Sequence, residues 1–147
     1  MPDPHCIFPR LQQVPTALLV LLFSYAAVSK LADFGGFRAQ LLAQPVPRPL
    51  AGTLAFLIPA LELSAVLLLL SGRGRGAGLR IAFGLLLLFS GYAALAVLGF
   101  WQQVPCSCGG ILGRLSWGPH LALNLFFLLV TIVCLYSHAR ERRSGDR

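Results

Sequence analysis

The chain has 147 residues, of which 56% are hydrophobic, and it carries 12 Lys and Arg against 5 Asp and Glu for a net charge of +7. So few charges cannot give a soluble globule of this size a water-facing surface, which excludes the soluble classes and points to an integral membrane protein. The positive excess is matched by anionic lipid on the inner leaflet rather than by nucleic acid, so no nucleic-acid partner is expected.

A hydrocarbon core about 30 Å thick takes about 20 apolar helical residues to cross. Four segments meet that demand, over about 11–30, 50–71, 80–101 and 118–138. The expected fold is all-α: a four-helix transmembrane bundle forming a single membrane domain over 1–147, with the lipid bilayer as its main partner. The first segment has a basic flank at Arg10 and ends in Tyr25-Ala26-Ala27-Val28-Ser29. That is a poor small-x-small cleavage site, so the segment is read as a crossing rather than a signal peptide.

After it, Asp33 is placed to cap a short helix in which Phe34, Phe37, Leu41 and Leu42 fall on one face and Arg38 and Gln40 elsewhere. This pattern predicts a short interfacial helix after helix 1. Pro45, Pro47 and Pro49 then end it and turn the chain into the second crossing. That crossing contains one carboxylate, Glu62, where an ionised group is expensive and a functional role is the default. The rival account of Glu62 is an interhelical hydrogen bond that specifies packing. Tyr25, Ser29, Tyr92 and Asn124 are the polar residues placed to join it or to line a small cavity in the outer half.

Ser71 to Gly78, with glycine at every second position from Gly72, reads as a flexible connector whose arginines set topology. The third crossing follows. Then comes a polar loop holding Cys106-Ser107-Cys108-Gly109-Gly110, flanked by Trp101 and Trp117 as interfacial anchors. Ser116 and Pro119 give the fourth helix a defined start.

Lys and Arg concentrate in cytoplasmic segments. Arg10, Arg73, Arg75, Arg80, Arg140, Arg142, Arg143 and Arg147 fall on one side, against Lys30, Arg38, Arg48 and Arg114 on the other. The expected placement is therefore the plasma (inner) membrane with both termini cytoplasmic. Cys106 and Cys108 then face outward, where disulfides form and persist.

Two cysteines one residue apart close a disulfide only within a small, strained ring. Strained, exposed disulfides are the labile kind suited to exchange. Arg114, Lys30 and His120 are the nearby groups able to favour thiolate. An inert structural bridge is the bland alternative. A metal site of Cys106, Cys108 and His120 lacks a fourth ligand, so no metal is expected. Cys134 reads as a buried apolar thiol near the inner side and Cys6 as a reduced cytoplasmic one.

Taken together, Ser29-Lys30-Leu31-Ala32-Asp33-Phe34-Gly35-Gly36-Phe37, Pro59-Ala60-Leu61-Glu62-Leu63, Cys106-Ser107-Cys108-Gly109-Gly110 and a last helix carrying Asn124 resemble the MauE branch of the DoxX-like membrane proteins. The likeness spans nearly the whole chain. It departs at Gly109, where the family pattern has Phe after the second cysteine. The resemblance implies a four-helix membrane protein linked to methylamine utilisation, needed to make or mature the disulfide-rich methylamine dehydrogenase, with Lys30, Asp33, Glu62, Cys106, Cys108 and Asn124 as carried-over site residues.

The functional expectation is a membrane thiol-disulfide oxidoreductase with Cys106 and Cys108 as catalytic residues and Lys30, Asp33, Glu62, Arg114 and Asn124 in support. Its expected partner is an extracytoplasmic thioredoxin-like protein. A membrane quinone is the one cofactor that analogy suggests. The alternatives are a non-enzymatic assembly or scaffold factor with a structural C-x-C disulfide, and a small transporter using Glu62.

Overall fold

The computed structural model describes residues 4–100 and 116–145, and among these every regular element is a helix: α1 (Pro4–Ala32), α2 (Phe34–Leu42), α3 (Arg48–Leu70), α4 (Arg75–Val97) and α5 (Trp117–Gly145). Four of them are long and apolar enough to cross a membrane: Gln13–Ala32 within α1, α3, α4, and Trp117–Arg143 within α5. The helix α1 packs on α3, α3 on α4 and α4 on α5, and a smaller contact from α5 to α1 closes the ring.

The packing follows membrane rather than aqueous rules. Ala27, Ala51, Ala55, Ala65 and Ala82 are fully buried, so small side chains let the helix backbones approach. Leu21, Phe56, Leu67, Leu88, Leu129 and Val133 are exposed and face lipid, where apolar surface carries no penalty. One cluster, with Leu19 and Phe23 of α1, Val66 and Leu69 of α3, Leu79, Leu85 and Leu86 of α4 and Cys134 of α5, fills one end of the bundle. Cys134 is the buried thiol that its position led us to expect.

The short helix α2 belongs to the other end. Its Phe37 and Leu41 are buried against Ala51, Ala55 and Ile58 of α3, with Phe34 at the margin, while Leu42 stays exposed. The apolar face is thus 34, 37 and 41. Asp33 begins it as an N-cap, its Oδ1 accepting the Gly36 N–H at 3.0 Å. Pro47 caps α3 and Pro49 occupies its first turn, where the missing N–H costs nothing.

The connector between α3 and α4 is shorter than its glycines suggest. Ser71 closes the turn, its Oγ accepting the Gly74 N–H at 3.0 Å, and α4 starts at Arg75 rather than near 80. Gly76 and Gly78 are buried helical residues. A Cβ on Gly78 would lie 2.8 Å from the backbone nitrogen of Leu69, so glycine there permits close approach of α4 to α3 rather than flexibility. At the other end α4 stops at Val97, short of 101. Gly99 takes φ 76°, Phe100 N–H bonds Leu95 O at 3.1 Å and Gly99 N–H bonds Ala96 O at 3.1 Å, a Schellman stop.

Candidate functional site

The two charged residues of the membrane-spanning motifs find each other. Lys30 Nζ donates to Glu62 Oε1 at 2.8 Å, and their side chains are 4% and 1% exposed. Lys30 also donates to the carbonyl of Ala26 at 3.2 Å, one turn back along α1, and its Nζ stands 5.8 Å from the centre of the Phe37 ring. Lys30 is therefore no loop charge marking the end of a crossing. Lysine side chains on a helix lean toward its N-terminus, and that lean carries the ammonium inward to the carboxylate.

This bond also sets the register of the antiparallel pair. Moving equal steps away from Lys30 and Glu62 in opposite chain directions brings Phe23 opposite Leu69, Phe37 opposite Ala55 and Leu41 opposite Ala51. Each of those pairs shares an apolar cluster. The helix α2 thus carries on the path of α1 along α3 after the break at Asp33. The ion pair consequently sits past the midpoint of α3, deep in the bundle, one turn after Pro59.

A cavity of about 680 Å³ lies beside the pair, and its wall is mostly apolar, with leucine and phenylalanine the commonest residues. Its polar points are Lys30, Glu62, Gln44, Tyr92, His120 and Asn124. Four of the five helices supply these groups, α1, α3, α4 and α5, together with Gln44 in the link after α2. The Tyr92 hydroxyl donates to Gln44 Oε1, which ties α4 to that link. Tyr92 also packs against Trp117, ring centres 5.8 Å apart, so Trp117 is part of the cavity wall as well as an anchor.

Of the residues singled out in the sequence, Lys30, Glu62 and Asn124 are brought to one cavity, and Tyr92 joins them. Asp33 stands apart as a helix cap. Tyr25 is 41% exposed and Ser29 Oγ donates to Ala26 O, so neither faces the cavity. Cys106, Cys108 and Arg114 lie outside the described residues. Gln44 was missed in the sequence because it follows α2 among prolines and reads as a loop residue. Only its pairing with Tyr92 marks it.

All of these groups fall within the stretch of chain that a family model matches. The model described as "Methylamine utilisation protein MauE" matches residues 9–137. The chain belongs to the MauE family. That match takes in the first three crossings, the C-x-C segment and most of the fourth crossing, and makes this a membrane protein linked to methylamine utilisation. No curated protein and no solved structure matches the chain.

Proposed function

We propose that this chain is a membrane thiol-disulfide exchange protein that supports the maturation of extracytoplasmic proteins in methylamine utilisation, and that it sits in the DoxX-like branch of membrane proteins. The observation that carries the reading is positional. The segment with Cys106 and Cys108 joins the end of α4 to the start of α5, and the residues on either side of it, Leu95 and Tyr92 before, Trp117 and His120 after, line the polar cavity. A C-x-C pair in the segment that joins two helices lining a cavity with a buried ion pair supports exchange chemistry more than a staple remote from any site.

With four crossings the two termini share a side and the C-x-C segment takes the other. The proposed orientation is cytoplasmic termini and an outward C-x-C. With Lys30 neutralised by Glu62, the other Lys and Arg assigned to the outer side are Arg38, Arg48 and Arg114, which strengthens the bias.

In the proposed reaction a thiolate of a thioredoxin-like partner attacks the Cys106–Cys108 disulfide, and resolution of the mixed disulfide releases the partner oxidised and the pair as two thiols. Closing the Cys106–Cys108 bond releases two electrons and two protons. A membrane quinone would supply the oxidant for that step, accepting both. Alkylation of the purified chain across a series of dithiothreitol redox ratios tests the reading. The pair should titrate well above the roughly −300 mV typical of structural disulfides. A pair that stays oxidised through that range is a staple, and the scaffold reading replaces exchange.

A further inference from the structure

Two buried polar atoms at the cavity have no hydrogen-bond partner among the described residues, and they are of opposite kind. Glu62 Oε2 is an acceptor on a side chain 1% exposed, because Lys30 engages only the other oxygen. Asn124 Nδ2 is a donor on a residue 7% exposed. Both residues line the same wall. A buried polar group left unsatisfied is costly, and more so in hydrocarbon, so the pair marks a place where a ligand supplies the missing bonds.

The charge at this place is already balanced. Lys30 and Glu62 neutralise each other, so neither a fatty-acid anion nor an ammonium finds an uncompensated counter-charge. The fitting ligand is neutral. It must offer a hydrogen-bond donor to Glu62 Oε2 and an acceptor to Asn124 Nδ2, on a body that suits walls of leucine and phenylalanine.

The way in is visible on α4. Gly84, Leu87, Leu88 and Gly91 fall on one helical stripe, line the cavity and are at the same time exposed on the outside of the bundle. A Cβ on Gly84 or Gly91 would meet nothing within 4 Å. The cavity is therefore open sideways to the bilayer, and its ligand enters from lipid.

We infer that the cavity between Glu62 and Asn124 binds a lipid-soluble quinol, the reduced form in preference to the quinone. A ring hydroxyl donates to Glu62 Oε2, and a ring oxygen accepts from Asn124 Nδ2. The oxidised ring has no hydroxyl and leaves Glu62 Oε2 unsatisfied. This deepens the quinone part of the proposed reaction by naming its binding residues and its preferred redox form, but the site itself does not depend on the cysteines.

The test uses the full chain in nanodiscs with Cys106→Ser, Cys108→Ser and Trp101→Phe. These changes separate the result from thiol exchange and leave Trp117, on the cavity wall, as the only tryptophan. Decylbenzoquinone is titrated as a quencher of Trp117 fluorescence, with decylbenzoquinol and decylbenzene as competitors under argon. Saturable quenching is expected, relieved by the quinol at least about tenfold more effectively than the quinone's own affinity would allow, as one charge-assisted hydrogen bond implies. Asn124→Leu should weaken both ring forms about fivefold or more. Gly84→Phe, at the opening and away from the ion pair, should abolish saturable quenching. Quenching that stays linear, relief by decylbenzene equal to that by the quinol, quinone bound as tightly as quinol, or unchanged affinity in Asn124→Leu or Gly84→Phe would each overturn the inference.

Discussion

Lys30 Nζ and Glu62 Oε1, 2.8 Å apart, tie the last turn of α1 to the interior of α3 and settle how the first two crossings align. Breaking one side of such a pair strands a buried charge, which typically costs about 3–5 kcal/mol, whereas removing both sides is far milder. Glu62→Leu should therefore lower stability strongly in detergent, Lys30→Met likewise, and the double variant should recover most of the loss. Glu62→Gln keeps an acceptor for Lys30 and should fold. Thermal unfolding of the unaltered chain and the four variants checks this. Additive losses in the double variant would mean that the two residues act separately.

The close approach of α4 to α3 rests on Gly78, whose added Cβ would sit 2.8 Å from Leu69 N, a backbone atom that cannot swing aside. Gly78→Ala should cost about 1–3 kcal/mol as an overpacking change. By contrast Gly84→Ala meets nothing within 4 Å and should be close to neutral. Unfolding midpoints of the pair compare the two directly, and equal effects would remove Gly78 as a packing site.

The Tyr92 hydroxyl is the donor to Gln44 Oε1, on a residue only 6% exposed. Tyr92→Phe removes that donor while keeping the ring against Trp117, and should destabilise by about 1 kcal/mol. Tyr92→Ala should cost several times more, since it also removes the aromatic contact. A Phe variant as damaged as the Ala variant would assign the whole effect to the hydroxyl.

The four crossings were legible in the sequence because each is a long apolar run with charged flanks, and α2 was legible from Asp33 and the spacing of Phe34, Phe37 and Leu41. The partnership of Lys30 with Glu62 was not, since Lys30 stands where a flanking charge is expected and only tertiary register shows that it turns inward. Gly76 and Gly78 misled for a related reason. Alternating glycine signals a loop in isolation, but beside another helix it signals contact, and the sequence of one segment does not contain its neighbour. The end of α4 was overrun because the apolar pattern continues through Phe100, while the φ of Gly99 decides the stop.

The proposed sidedness rests on the distribution of Lys and Arg. In intact cells, a membrane-impermeant maleimide should reach Cys106 and Cys108 after mild reduction and should leave Cys6 unlabelled until the membrane is opened. Labelling of Cys6 alone would reverse the orientation and put the C-x-C segment in the reducing compartment, where exchange in the proposed direction fails.

The most direct test of thiol exchange is trapping. With Cys108→Ser or Cys106→Ser the resolving thiol is gone, so the remaining cysteine should hold its partner as a mixed disulfide. Non-reducing gels of membranes from cells exposed to methylamine while growing on another carbon source should then show a heavier, dithiothreitol-sensitive species in at least one single variant and none in the double Ser variant, which should also fail to support growth on methylamine. A double Ser variant that folds, retains the cavity and supports full growth on methylamine would contradict the account.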